Sequence, residues 1–350
     1  MPARSNDIAL PTDTEPAIAL RGIVKDFPLK RGAAVRALDR LDLEIAHGEF
    51  VAILGPSGCG KSTVLRLAAG LERPTEGEVL VEGRSPAELV RAHRLGVAFQ
   101  EHALLPWATA RNNVALPFRV AGREVDRERV DTLLELVGLA GFEDARPRQL
   151  SGGMRQRVAI ARALALEPDV LLLDEPFGAL DVKIRSQLRR NLREVQQQLG
   201  VTAILVTHDQ EEGFELADRI GLMERGELLE VGEPEGLYAR PHTLFGATFL
   251  GAGTVLVGRA REGAARIGPL ALPIPSEVEH EEDERVRVLV RPEQVELSAG
   301  PPERGVRLLG QGAMVEQSFL GALRRVRVRM PAIPGTRQAA PSVYGEEGLL

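Results

Sequence analysis

The sequence predicts a two-domain protein, an α/β core with a helical insertion followed by a small all-β domain. Three observations carry this prediction. An apolar run from Val51 to Leu54 leads into a glycine-rich loop and then into a helical pattern at Val64, Leu65, Leu67 and Ala68. A second apolar run, VLLL from Val170, ends on Asp174 and Glu175. Beyond Gly251 helical periods give way to short alternating runs broken by glycine and proline. Apolar runs without polar interruption suit parallel strands buried on both faces, and short strands between turn residues suit a small barrel-like domain.

The loop reads GPSGCGKST, comprising Gly55, Pro56, Ser57, Gly58, Cys59, Gly60, Lys61, Ser62 and Thr63. It matches G-x-x-x-x-G-K-[ST], and strand, loop and helix come in the order of a phosphate-binding P-loop. A phosphate chain needs many donors at short range from a backbone able to curl. Gly55, Gly58 and Gly60 are expected to supply that backbone through positive φ, and the helix starting near Lys61 adds its positive end. Lys61 would reach the β- and γ-phosphates, and Ser62 would hold Mg²⁺.

With 350 residues there is room for two domains. An apolar share of 44% with 27% charged residues is that of a globular protein. The net charge of -6 argues against a general nucleic-acid binder. No apolar run is long enough to span a bilayer, and the first twenty residues lack the apolar core of a signal peptide. Cys59, the single cysteine, excludes internal disulfides and fits a reducing compartment. Its place in the loop reads as tolerance of a small residue.

In chain order, residues 1–17 are expected to form a tail. Strands are expected at 18–24 and 38–45, with Phe27 between them. An aromatic beside a strand is usually core, but one just ahead of a nucleotide site can stack on adenine. Further strands are expected at 78–82 and 95–99, with Gln100 directly after the second. A polar amide at the end of a buried strand is where α/β folds place ligand contacts. Residues from about 101 to 165 have helical periods and no β-rich run, which predicts a helical insertion. It contains Trp107, which belongs either to a core or to a partner-binding surface.

Ser151 is expected to cap a helix beginning near Gly152 or Gly153, making a second anion-binding helix end at which two glycines permit close approach. The acids closing the second apolar run suggest chemistry, because ionised carboxylates are expensive to bury unpaired. Asp174 would orient Mg²⁺, and Glu175 would sit where an attacking water needs a base. An amphipathic helix through residues 184–199 and an apolar strand at 202–206 follow, the strand closing on Thr207, His208 and Asp209. Two strands joined at Arg225 and Gly226, and one helix over 237–250, complete the first domain. The second domain, 251–350, is expected to carry strands at 254–259, 286–290, 306–309 and 325–330.

Taken together the motifs resemble those of the ATP-binding subunits of ABC transporters, over residues 18–250 in the family's order. GPSGCGKST is similar to their Walker A, Gln100 to the Q-loop glutamine, LSGGM from Leu150 to the signature, and VLLLDE to Walker B. Ala179, Leu180 and Asp181 are similar to the D-loop, and His208 to the switch histidine. Residues 251–350, including VRPEQVEL, resemble the OB-like accessory domain of importers for ferric iron, polyamines, sulfate, molybdate and sugars. LLPW, DEPFGALD and LSGGM lean instead toward importers of nitrate, sulfonates and taurine. Met154 stands where many relatives have glutamine.

The resemblance implies an ATPase with ATP and Mg²⁺ as ligands, Phe27 stacking on adenine and Gln100 sharing the metal with Ser62 and Asp174. It implies a head-to-tail homodimer in which Ser151, Gly152 and Gly153 complete the partner's site, with Asp181 also among the nucleotide-binding residues. It further implies two transmembrane permease subunits, an extracytoplasmic solute-binding protein and a place on the cytoplasmic face of the inner membrane. The expected solute is a small anion or ferric iron, with polyamines or sugars as the alternative. Soluble relatives acting on DNA or ribosomes carry coiled-coil insertions or paired cassettes, and neither occurs in this sequence.

Overall fold

In the computed structural model the described residues are 15–29, 34–178, 182–251, 253–267, 270–300, 309–319, 321 and 323–329. The chain divides into two compact units, Met1–Ala239 and Arg240–Leu350. This boundary lies ahead of the 250/251 boundary expected from the sequence.

The first unit opens with β1 (Ile18–Pro28), β2 (Ala34–Ile45) and β3 (Phe50–Leu54), and the glycine loop leads to α1 (Lys61–Ala68). Then come β4 (Glu76–Val81), α2 (Pro86–Arg91) and β5 (Leu95–Ala98). The insertion holds α3 (Ala110–Val114), α4 (Leu116–Val120), α5 (Arg127–Leu136) and α6 (Gly152–Ala163). After it follow β6 (Val170–Asp174), α7 (Val182–Leu199), β7 (Thr202–Thr207), α8 (Gln210–Leu216), β8 (Arg219–Glu224), β9 (Glu227–Gly232) and α9 (Pro234–Ala239).

Strand order in the main sheet is β5-β6-β7-β3-β8-β9, parallel except for the β8–β9 hairpin. Every residue of β3, β6 and β7 is buried, as their uninterrupted apolar runs require. These three neighbours end at the same edge of the sheet. The crevice outside the carboxyl ends of parallel strands is where such folds bind ligands. A smaller antiparallel sheet, β2-β1-β4, packs its apolar face into the same core: Ile18, Leu20, Leu38, Leu43 and Val81 join Val51, Ile53, Val64 and Leu65 there.

The lower end of β3 is tightly held. Phe50 N–H donates to Asp218 Oδ2 at 2.8 Å, and Asp218 N–H returns a bond of 2.8 Å to the Phe50 carbonyl. Gly48 N–H donates to Thr202 Oγ1 at 3.0 Å, and Gln196 Nε2 donates to the Gly48 carbonyl at 2.8 Å. Arg193 lies over the Phe50 ring, 5.7 Å from its centroid, and pairs with Asp218. These polar partners are costly to bury alone and are satisfied by one another.

The helix expected over 237–250 is two helices, α9 and α10 (Leu244–Phe249), the second belonging to the second unit. Pro241 lies between them, where it would interrupt a continuous helix, and Thr243 caps the second by accepting from Gly246 N–H at 2.9 Å. The second unit continues with β10 (Thr254–Arg261), β11 (Ala264–Ile267), β12 (Leu270–Pro273), β13 (Arg285–Val290), β14 (Ala313–Phe319) and β15 (Arg324–Arg329). Among the described residues these form a four-stranded antiparallel sheet, β12-β11-β10-β13, and a two-stranded ribbon, β14-β15. Most of the strand expected at 306–309 lies outside the described residues.

Candidate functional site

The loop between β3 and α1 is shaped by its glycines in two ways. Gly60 has φ +109, and a Cβ there would stand 2.6 Å from the Ala37 carbonyl oxygen. Gly55, expected to need positive φ, does not adopt it. Its requirement is close approach, since a Cβ would fall 2.2 Å from the Met223 carbonyl oxygen. Both β2 and β8 therefore press on the loop from outside and fix its course. Cys59 is buried, and burial pushes its thiol up, away from the reactive thiolate.

Lys61, 5% exposed, donates from Nζ to the Gly55 carbonyl at 2.8 Å and to the Pro56 carbonyl at 2.9 Å. The ammonium is thus folded back into the loop's curl. Ser62 Oγ donates to Asp174 Oδ1 at 3.1 Å, joining α1 to the end of β6. Burial pushes the Asp174 carboxyl up, and the Ser62 hydroxyl partly offsets this.

Glu175 follows Asp174 with φ +46, a left-handed conformation that strains a residue carrying a Cβ. Its N–H donates to the Val206 carbonyl at 2.8 Å. Two side chains converge on its carboxylate: Gln100 Nε2 donates to Oε2 at 3.1 Å, and His208 Nδ1 lies 3.1 Å from Oε1. Residues leaving β5, β6 and β7 therefore meet at one carboxylate. Gln100, expected beside Ser62 and Asp174 as a metal partner, has its amide on Glu175.

Ser151 caps α6 by accepting from Met154 N–H at 3.2 Å. Helix α6 packs against β5, at the edge of the main sheet. Strands β6 and β7 separate β5 from β3, a distance of about 14 Å at ordinary strand spacing. Ser151, Gly152 and Gly153 are thus built on a different part of the frame from the glycine loop. Phe27 is half-buried on β1, with Lys25 Nζ 4.7 Å from its ring centroid. Its register partner Val35 lies two residues before Ala37, which borders Gly60. Asp181 lies outside the described residues.

Of the two places left open for Trp107, the structure decides for the surface, since the residue is 71% exposed. One feature escaped the sequence reading. Near the insertion a groove of about 360 Å³ is lined by Leu95, Val97, Phe99, Leu116, Pro117 and Val120. Arg162, also in its wall, donates to the His102 and Ala103 carbonyls at 2.8 Å and so fixes the chain just beyond Gln100.

Residues 38–178 match the family described as ABC transporter. The sulfate/thiosulfate import ATP-binding protein of Bordetella parapertussis is 46% identical over 298 residues, covering 83% of this chain and 82% of that protein. The chain belongs to the ABC transporter family. The spermidine/putrescine import ATP-binding protein of Frankia alni is 42% identical over 87% of this chain and 69% of its own length. A solved dimer of an ATP-binding cassette in a post-hydrolysis state with ADP and Pi is 36% identical. It covers 62% of this chain and 98% of its own, with a TM-score of 0.58. The mixed sheet around β3 is that family's fold, and the loop of residues 55–63 lies inside the matched segment.

Proposed function

We propose that this chain is the ATP-hydrolysing subunit of an importer for a small oxyanion of the sulfate class. It works as a head-to-tail pair at the cytoplasmic face of the inner membrane, with two permease subunits and an extracytoplasmic solute-binding protein. The solute reading is supported by the greater identity to the Bordetella sulfate/thiosulfate protein, 46% against 42% for the Frankia polyamine protein.

The observation that carries the hydrolytic reading is the convergence of Gln100 and His208 on Glu175, one residue beyond the Ser62–Asp174 pair. Lys61, the loop amides and the positive end of α1 would receive the phosphates, Lys61 exchanging two loop carbonyls for phosphate oxygens. Ser62 Oγ and Asp174 suit a hard, oxygen-seeking, largely hydrated cation, and with Gln100 they would hold Mg²⁺. The ion would supply charge neutralisation at the β- and γ-phosphates. Glu175 would take the proton of the attacking water, while His208 and Ser151, Gly152 and Gly153 of a second copy would face the γ-phosphate. Phe27 would stack on adenine. Gln100 and the groove beyond it, with exposed Trp107 nearby in sequence, offer the surface for a permease segment.

The test is Glu175→Gln in the full-length chain. ATP binding should persist while steady-state turnover falls by at least about a hundredfold. Retained turnover would remove Glu175 from this role, and loss of nucleotide binding in Lys61→Ala is the companion expectation.

A further inference from the structure

Thr207 closes β7 with a buried hydroxyl that serves two groups at once. Asp209 N–H donates to Thr207 Oγ1 at 3.0 Å, and Thr207 Oγ1 donates to Glu212 Oε2 at 2.6 Å. Thr207 and Glu212 are each 2% exposed. A hydroxyl has one proton to give, so an acceptor at Glu212 commits that proton and leaves a lone pair for the Asp209 amide. The turn carrying His208 is thereby tied on both sides of the histidine. The His208 side chain itself is 58% exposed, with Nδ1 3.1 Å from Glu175 Oε1.

A carboxyl is an expensive acceptor to bury for this purpose. Burial pushes Glu212 up to about 7; the Thr207 hydroxyl pulls it back, the nearby Asp209 pushes it up, and Arg185 and Arg189 of α7 add a smaller downward pull. Arg185 also donates to Asp209 Oδ2 at 3.3 Å, and Arg189 pairs with Glu211 and Glu215 on α8. Helix α8, and with it Glu212, is thus anchored to α7 while its first turn supports the histidine.

We propose that Glu212 is a positioning residue for His208, acting through the Thr207 hydroxyl. This deepens the hydrolytic reading above and rests on it, because His208 must serve the chemical step. Either protonation state of Glu212 leaves an oxygen to accept from Thr207, so the support persists across neutral pH.

The experiment is steady-state Mg-ATP hydrolysis by the full-length chain carrying Thr207→Val, Thr207→Ser, Glu212→Ala, Glu212→Gln or His208→Ala, with Thr207→Val also placed in the His208→Ala background. Thr207→Val and Glu212→Ala should lower kcat roughly tenfold with the KM for ATP within about twofold. Thr207→Ser and Glu212→Gln should keep most of the turnover, since each preserves the donor or the acceptor. Thr207→Val should cost nothing further once His208 is alanine. Should Glu212→Ala fail to fold, the near-isosteric Thr207→Val carries the test. Unchanged kcat in Thr207→Val, or an equal loss in the His208→Ala background, overturns the proposal while leaving the role of His208 intact. Unchanged turnover in His208→Ala overturns that role and the proposal with it.

Discussion

Ser62 Oγ donates to Asp174 Oδ1 at 3.1 Å, a bond between the start of α1 and the last residue of β6. The pair puts a hydroxyl and a carboxylate side by side at the mouth of the glycine loop. Asp174→Asn should therefore raise the Mg²⁺ concentration needed for half-maximal hydrolysis by about tenfold or more, as read by metal titration at saturating ATP. Because burial holds the Asp174 carboxyl above its ordinary range, the parent protein's Mg²⁺ requirement should also climb on acidification sooner than an exposed carboxylate would cause. An unchanged requirement in the variant would remove Asp174 from the metal site.

The second prediction concerns Gln100, whose amide bonds to Glu175 at 3.1 Å. Gln100→Ala removes a donor from a carboxylate that still faces His208. Turnover should fall roughly tenfold while equilibrium ATP binding, measured by fluorescence of a nucleotide analogue, stays within about twofold. A loss confined to binding would contradict the arrangement.

Glu212 supplies a pH dependence with a definite sign. Its carboxyl is raised from 4.5 to about 7 on folding. A group raised in this way contributes stability fully below its unfolded value and loses that contribution as pH rises through the folded value. The loss accumulates between 4.5 and about 7 and amounts to at most about 3 kcal/mol. Glu212→Gln cannot ionise, so its Tm relative to the parent should improve between pH of about 5 and about 8. Thermal melts at the two pH values check this, and a variant Tm that stays level or falls relative to the parent would show that Glu212 is not desolvated as described.

Gly60 offers a backbone test. At φ +109, with the Ala37 carbonyl 2.6 Å from any added Cβ, Gly60→Ala should destabilise the first unit by roughly 1–3 kcal/mol and weaken ATP binding. Denaturant unfolding and nucleotide binding measured on the same preparation check both effects. Equal stability would mean that β2 gives way easily there.

The parts legible in the sequence are those dictated by local pattern. Strands β3, β6 and β7 are buried on both faces, so their apolar runs stand out unaided, and Glu175 and His208 are marked by lying just past two of them, while Gln100 lies just past the half-buried β5. Less legible are features that depend on what packs alongside. Strands β11 and β12 are four residues each, and Ala264 to Ile267 has little β character of its own; pairing against β10 makes it a strand. The requirement at Gly55 comes from Met223, far along the chain, and the part played by Thr207 depends on Glu212 being folded beneath it. Trp107 could have been core or surface by its surroundings in sequence, and only the packing decides for the surface.

The anchoring of β3 at its base has a consequence for measurement. Its lower end is bonded to α7, β7 and the residue just before β8, so deuterium uptake at the Phe50 amide should report a broad opening of this unit. The amides of residues 55, 57, 58 and 60, at the other end of the same strand, should report chiefly what touches the loop. Residue-resolved exchange along this one stretch thus carries its own internal standard, separating ligand-induced protection from any general tightening of the unit.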